Sequence, residues 1–182
     1  GCCDRYHPTQ ALGDLITIQE KLGRLEGVKL TYVGVHNNVC NSLIAAGLKV
    51  GMEVTVVAPE INPAAVDEEL FEVARQAGVY KVSDRIQDAI AKSDVVYTDT
   101  WMDMEFFLDA AFEAEKERRI KQLAPYQLNK TLLEGQDVLV MHCLPAHRGY
   151  EISGDIIDDP RSVMFEQAEN RLHSMKALIL KL

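Results

Sequence analysis

Apolar runs rich in β-branched residues alternate with helical patterns along the whole chain, and that alternation admits little except a parallel sheet covered on both faces. The runs are Val28 to Val33, Met52 to Ala58, Val79 to Val82, Asp94 to Thr98 and Val138 to Met141. The first helical pattern opens at His7-Pro8-Thr9-Gln10, with Leu12, Leu15, Ile16, Gln19, Leu22 and Leu25 near a 3.6 period, and ends at Gly27. Others are expected from the turn Gly34 to Asn38 to about Val50, from about Val66 to Ala77, from Asp84 to Ala91, from Glu113 to Lys121, after a cap at Asn129, and from Ala168 to Leu182. Pro59 should stop the second strand, and Pro160-Arg161-Ser162 reads as a short strand or turn. The expected fold is α/β, a three-layer Rossmann-like domain whose mainly parallel sheet is flanked by helices. In such folds ligands sit outside the carboxyl ends of the strands, which draws attention to Gly34 to Asn38, Asp99 to Glu105 and His142 to Gly149.

Composition narrows the partners. A chain of 182 residues that is 47% hydrophobic supports one core, and residues 1–182 are read as one domain. A net charge of −9 without a basic block argues against nucleic acid. No segment approaches the ~18 apolar residues of a membrane helix. Cys2, Cys3, Cys40 and Cys143 show no zinc spacing, and without a secretory signal they suggest a reducing, cytoplasmic setting. The chain begins at Gly1 rather than methionine, which reads as a fragment or a processed chain.

Each candidate site residue has a structural reading beside a chemical one. Cys143 follows an apolar strand and is either a buried structural thiol or a substrate-facing one. Asn37 and Asn38 can cap the next helix, or Asn38 can present its amide to a polar ligand group. A dinucleotide site is disfavoured, since only Gly34 of a Gly-x-Gly-x-x-Gly turn is present. Asp99, beside the single Trp101, is a helix cap or an anchor for a cationic group. With Asp103 and Glu105 nearby, the cluster suits an amine better than an anion. His7 is a cap substitute or a neutral hydrogen-bond donor, and Arg171 is a solvated helix residue or the cation facing an oxyanion. A cysteine-hydrolase reading would need His142 as base, but strand alternation should turn it away from Cys143.

Taken together and in order, His7-Pro8-Thr9-Gln10, Asn37-Asn38, Asp99-Thr100-Trp101, His142-Cys143-Leu144-Pro145 and Ala168-Glu169-Asn170-Arg171 resemble the C-terminal, amino-acid-binding half of the ornithine carbamoyltransferase family, over essentially the whole chain. The resemblance implies transfer of a carbamoyl group from carbamoyl phosphate to the side-chain amine of ornithine, giving citrulline and phosphate, with no metal or other cofactor. By motif match, carbamoyl phosphate would meet His7, Gln10, Cys143, Leu144 and Arg171. Ornithine would meet Asn38, Asp99, Asp103 and Met104, with Cys143 and Asp99 orienting the amine and managing its proton.

Two departures from the family pattern matter. Where the family has Ser-Met-Gly after Asp-Thr-Trp and one further residue, this chain has Asp103-Met104-Glu105. The extra carboxylate should weaken binding of ornithine's own carboxylate and favour a second ammonium, so a diamine such as putrescine is an alternative substrate. A non-catalytic amino-acid-binding relative is another alternative. The family's N-terminal carbamoyl-phosphate domain, with its Ser-Thr-Arg-Thr phosphate cradle, is not in these 182 residues. Because the family's sites lie at interfaces of a homotrimer to which that domain contributes, the chain alone is expected to be inactive.

Overall fold

The computed structural model describes residues 2–102 and 110–182, so Asp103, Met104 and Glu105 lie outside the described residues. Five strands, β1 (Lys29–His36), β2 (Glu53–Ile61), β3 (Tyr80–Val82), β4 (Val95–Thr98) and β5 (Leu139–His142), form one sheet in the order β3-β2-β1-β4-β5. Every pairing is parallel. The α-helices among the described residues are α1 (Pro8–Leu22), α2 (Asn38–Val50), α3 (Glu68–Gln76), α4 (Ile86–Ile90), α5 (Glu113–Leu123), α6 (Gly154–Ile157) and α7 (Met164–Lys181).

Strand residues alternate between two cores. Leu30, Tyr32, Val54, Val56, Val95 and Tyr97 pack with Ile18 of α1, Leu43 and Ile44 of α2 and Phe71 of α3. Their neighbours Val33, Val57, Val96 and Val140 pack on the other face with Ala89 and Ile90 of α4 and Ile156 and Ile157 of α6. The three-layer α/β expectation is met. The chain leaves β1 toward β2 and β3 on one side and returns to β4 and β5 on the other, so the topological switch lies between β1 and β4. That places the segments after β1, β4 and β5 side by side.

Several boundaries differ from the sequence expectation. The first helix ends at Gly23, whose φ of 71° forms a left-handed cap, and not at Gly27. Pro59 does not end β2. The β1–β2 register shifts between Val33, paired with Val57, and Val35, paired with Glu60. Pro59 sits in that bulge, and β3 pairs only with Val54 to Val56, so the missing amide disrupts no ladder. Gly34 lies opposite the bulge at φ 124°. Asn129 caps a turn rather than a helix, its Oδ1 accepting from Leu132 N at 3.0 Å. Ser162 forms a single bridge to Val140, and α7 begins four residues before Ala168, at Met164.

Helix α1 buries more than its apolar stripe. Its buried residues are Gln10, Ala11, Gly13, Asp14, Thr17 and Ile18, whereas Leu12 is 41% exposed. The apolar stripe is only partly buried, Leu15 and Leu22 packing against the sheet core, and a second face carrying Gln10, Asp14 and Thr17 is buried as well, toward α7. Asn170 of α7 donates to Thr17 Oγ1 at 3.1 Å and Glu20 Oε2 at 2.7 Å, so the buried polar groups are satisfied across the helix pair.

Packing beneath α2 is tight at Gly47. A Cβ there would sit 3.0 Å from Met52 O, 3.0 Å from Val79 Cγ1 and 3.3 Å from Val54 Cγ2. Gly47→Ala is therefore expected to destabilise the domain by about 1–3 kcal/mol through overpacking, read as a lower urea midpoint at unchanged m-value.

Candidate active site

Asp99 lies just past β4 and is buried. Its Oδ1 accepts from Cys143 Sγ at 2.7 Å and from Thr100 N at 2.7 Å, and its Oδ2 accepts from Asn37 Nδ2 at 2.6 Å. One carboxylate thus gathers donors from the segments after β1, β4 and β5. Asn37 is itself fixed as the cap of α2: its Oδ1 accepts from Val39 N, Cys40 N and, at 3.0 Å, Tyr32 Oη. Burial, and then the adjacent Asp99, push the Cys143 thiol well above its usual range. Cys143 is therefore a neutral donor, whereas a nucleophilic cysteine needs a stabilised thiolate.

His142, the last residue of β5, is fully buried. Leu144 N donates to its Nδ1 at 2.8 Å, which leaves Nε2 as the protonated nitrogen, donating to Glu151 Oε1 at 3.1 Å. Glu151 also accepts from His147 N. The alternation argument is corrected in part. Asp99, His142 and Cys143 offer ligand atoms within 4.8 Å of one another, because regular strand geometry ends at His142. What withholds the imidazole from the thiol is its hydrogen bonding, since both ring nitrogens are already taken. The residue types would suit a metal, but each is committed elsewhere, His142 to Leu144 N and Glu151, and Cys143 to Asp99. Leu144 adopts φ 56° and is followed by a cis bond to Pro145.

A second cluster joins α1 to α7. Arg171 Nη1 donates to Gln10 Oε1 at 3.0 Å, and Gln10 Nε2 donates to Asp14 Oδ1 at 2.8 Å. Gln167 Nε2 donates to the same Oδ1 at 2.7 Å, and Tyr97 Oη donates to Oδ2 at 3.2 Å. Gln167 Oε1 in turn accepts from His142 N at 3.0 Å, which ties this cluster to β5. His7 does not cap α1 through its side chain. Its N donates to Ser42 Oγ at 2.7 Å, and Nδ1 meets Thr9 Oγ1 at 3.2 Å. Burial, and then Arg171, hold the imidazole below its ordinary value, while Asp99 acts in the opposite direction. His7 is thus within electrostatic reach of both clusters and stays neutral near pH 7.

The expected residues fall into three groups. Asp99 and Cys143 are in direct contact, Gln10 and Arg171 are in direct contact, and His7 and Leu144 adjoin these pairs. Asn38 is placed apart: its Nδ2 donates to Cys3 O at 2.7 Å and to Cys2 Sγ at 3.4 Å, and Asn37 reaches Asp99 instead. Asp103 and Met104 lie outside the described residues. Sequence reasoning did not single out Asp14, Gln167, Tyr97 or Glu151. Helical spacing carried a signal for two of them, since Asp14 follows Gln10 by four residues and Gln167 precedes Arg171 by four.

A family model described as aspartate/ornithine carbamoyltransferase, Asp/Orn binding domain, matches residues 26–182. An ornithine carbamoyltransferase of Methanosarcina mazei is 45% identical over 183 residues, which covers 98% of this chain and 58% of that protein. One of Halalkalibacterium halodurans is 45% identical over 186 residues, covering 98% and 56%. The solved ornithine carbamoyltransferase of Pyrococcus furiosus superposes with a TM-score of 0.84 at 43% identity, over 97% of this chain and 56% of that one. The chain spans little more than half the length of the relatives it matches.

Proposed function

The chain belongs to the aspartate/ornithine carbamoyltransferase family, and from that premise we propose that it is the ornithine-binding half of an enzyme that carbamoylates the side-chain amine of ornithine. The observation that carries this reading is the Cys143–Asp99 contact of 2.7 Å at the carboxyl ends of β4 and β5, beside the sheet's switch point. A carboxylate with a neutral thiol beside it can hold an ammonium, accept its proton and orient the free amine, with no need of a covalent step.

In this mechanism the amine lone pair forms a C–N bond to the carbamoyl carbon and the carbonyl oxygen becomes an oxyanion. Arg171 and neutral His7 donate to that oxygen while Gln10 holds the guanidinium. The C–O bond to phosphate then breaks with its electron pair going to phosphate, the proton shed by the attacking nitrogen passes to that departing phosphate, and citrulline forms. Asn38, Asp99, Asp103 and Met104 contact ornithine; His7, Gln10, Cys143, Leu144 and Arg171 contact carbamoyl phosphate. The phosphate end is bound by an N-terminal domain, residues 1–182 form the amino-acid-binding domain, and the working unit is a homotrimer in arginine metabolism. Two exposed free thiols, Cys2 and Cys3, suit a reducing compartment, and we place the enzyme in the cytoplasm. Among the described residues no helix is long and apolar enough to cross a membrane.

The test is to assay radiolabelled citrulline with the chain alone and with a carbamoyl-phosphate-binding half supplied from its own reading frame or from a relative. Activity only in the completed enzyme is expected; turnover by the chain alone would contradict the division of labour, and none in either would reject the reading. Cys143→Ser should keep turnover within ~10²-fold of the original, against the ~10⁶-fold loss that follows removal of a covalent nucleophile. A trapped carbamoyl-thioester would overturn that expectation. Asp103 favours a second reading, carbamoylation of a diamine such as putrescine. A strong ornithine preference that Asp103→Ser leaves unchanged would eliminate it.

A further inference from the structure

The buried carboxylate of Asp14 has no part in the mechanism above, yet it holds two glutamines, one of which aims Arg171 while the other reaches the end of β5 beside Cys143. A glutamine side chain has one acceptor oxygen and one donor nitrogen, so whatever binds one end decides what the other end can meet. Gln10 must present Oε1 to Arg171, which only donates, and Gln167 must present Oε1 to His142 N, which also only donates. Both orientations require an acceptor at the opposite end of each amide. Asp14 Oδ1 supplies it to both, at 2.8 and 2.7 Å. A donor at that place would turn both amides over and set NH2 groups against the guanidinium and the His142 amide.

We propose that Asp14 is a positioning residue for carbamoyl transfer, whose Oδ1 sets the direction of the Gln10 and Gln167 amides and so holds Arg171 and the Cys143 loop in one arrangement. The inference rests on the reading of Gln10, Arg171 and Cys143 as substrate contacts. Tyr97, from β4, completes the set by donating to Oδ2 and accepting from Gln167 Nε2 at 3.0 Å. The titratable and charged groups facing Asp14 are Tyr97, Arg171 of α7 and Cys143 after β5.

Asp14→Asn keeps an oxygen for both amides and can donate its nitrogen to Tyr97 Oη, whereas Asp14→Ala keeps neither. Nuclear magnetic resonance of the 182-residue chain reads the consequence without any turnover. The Asp14→Ala variant is expected to shift the side-chain amide resonances of Gln10 and Gln167. It should also speed hydrogen exchange at His142 N by ~10-fold or more while sparing Val140 N on the same strand. Asp14→Asn should restore both signatures. An Asp14→Ala chain with both unchanged, or one in which Val140 N exchanges faster to the same degree, overturns the proposal. In the completed enzyme Asp14→Ala should lower kcat ~10²-fold, as a small misplacement of reacting groups does, with the ornithine KM little changed; an unchanged kcat also overturns it. If the unsubstituted enzyme makes no citrulline, the functional reading fails, and the resonance experiment still decides whether Asp14 directs the two amides.

Discussion

Arg171→Met is expected to lower the citrulline-forming kcat of the completed enzyme by ~10²–10³-fold, the usual consequence of deleting one donor to a developing oxyanion. Among the described residues of the site the guanidinium is the donor with a permanent charge, and its Nη1 is already aimed by Gln10 at 3.0 Å. Little ordering therefore remains to be done when negative charge appears on the carbonyl oxygen. Methionine retains the aliphatic stem that passes over Gly13, where a Cβ would approach Arg171 Cδ to 3.1 Å, so the α1–α7 packing should survive. Arg171→Lys should rescue poorly, because a point charge on a flexible stem cannot serve Gln10 and the oxyanion with separate donors. Measuring kcat apart from KM checks the assignment. A loss confined to KM would make Arg171 a ground-state contact and remove it from the chemical step.

The stability of the wild-type chain relative to Asp14→Asn should fall by about 3 kcal/mol as the pH rises from about 4 to about 7. Burial raises the Asp14 carboxyl from 3.8 to about 7, against the pull of its hydrogen bonds from Gln10, Gln167 and Tyr97 and the charge of Arg171. Between those values the folded protein keeps a proton that the unfolded chain has released. The stability this contributes is whole below 3.8 and is lost as pH rises through about 7. Glu115 and Asp159, held low at about 2 by neighbouring arginines, give the opposite slope, with stability lost only as pH falls through their folded values. Their contribution is common to both proteins and cancels in the difference. Urea unfolding of the pair at several pH values gives the curve directly, and a flat difference would contradict the burial argument.

The sheet was legible because each strand announces itself as an apolar β-branched run, and parallel order follows from alternation with helices. The strand-end loops followed from that order, and the motif resemblance assigned Asp99, Cys143, Gln10 and Arg171 before any geometry was known. The buried polar face of α1 was not legible. Periodicity finds Leu15 and Leu22, which do pack on the core, but not the polar face beside them, where Asp14 and Thr17 meet residues of α7 153 positions away in each case. No local window contains that partner. Pro59 misled for a similar reason: a proline breaks a ladder only where its amide is needed, and the bulge opposite Gly34 removes the need. Between Asn37 and Asn38 the text was symmetrical. Only the helix start decides that the first caps α2 and reaches Asp99 while the second turns toward Cys3.

The order β1-β4-β5 makes the sheet a ruler for the chemistry. Asn37, Asp99 and Cys143 follow three adjacent strands, and neighbouring strands in any sheet stand ~4.8 Å apart by the demands of backbone hydrogen bonding. The lateral spacing of the three groups is thus set by main-chain geometry, which side-chain substitution elsewhere barely alters. Along the strands the graduation is ~3.3 Å per residue, so a single-residue slip of β4 would carry Asp99 beyond reach of the Cys143 thiol. Helices and loops around such a frame can diverge widely in sequence and length while the distance between carboxylate and thiol holds, and one residue inserted inside β4 would undo it.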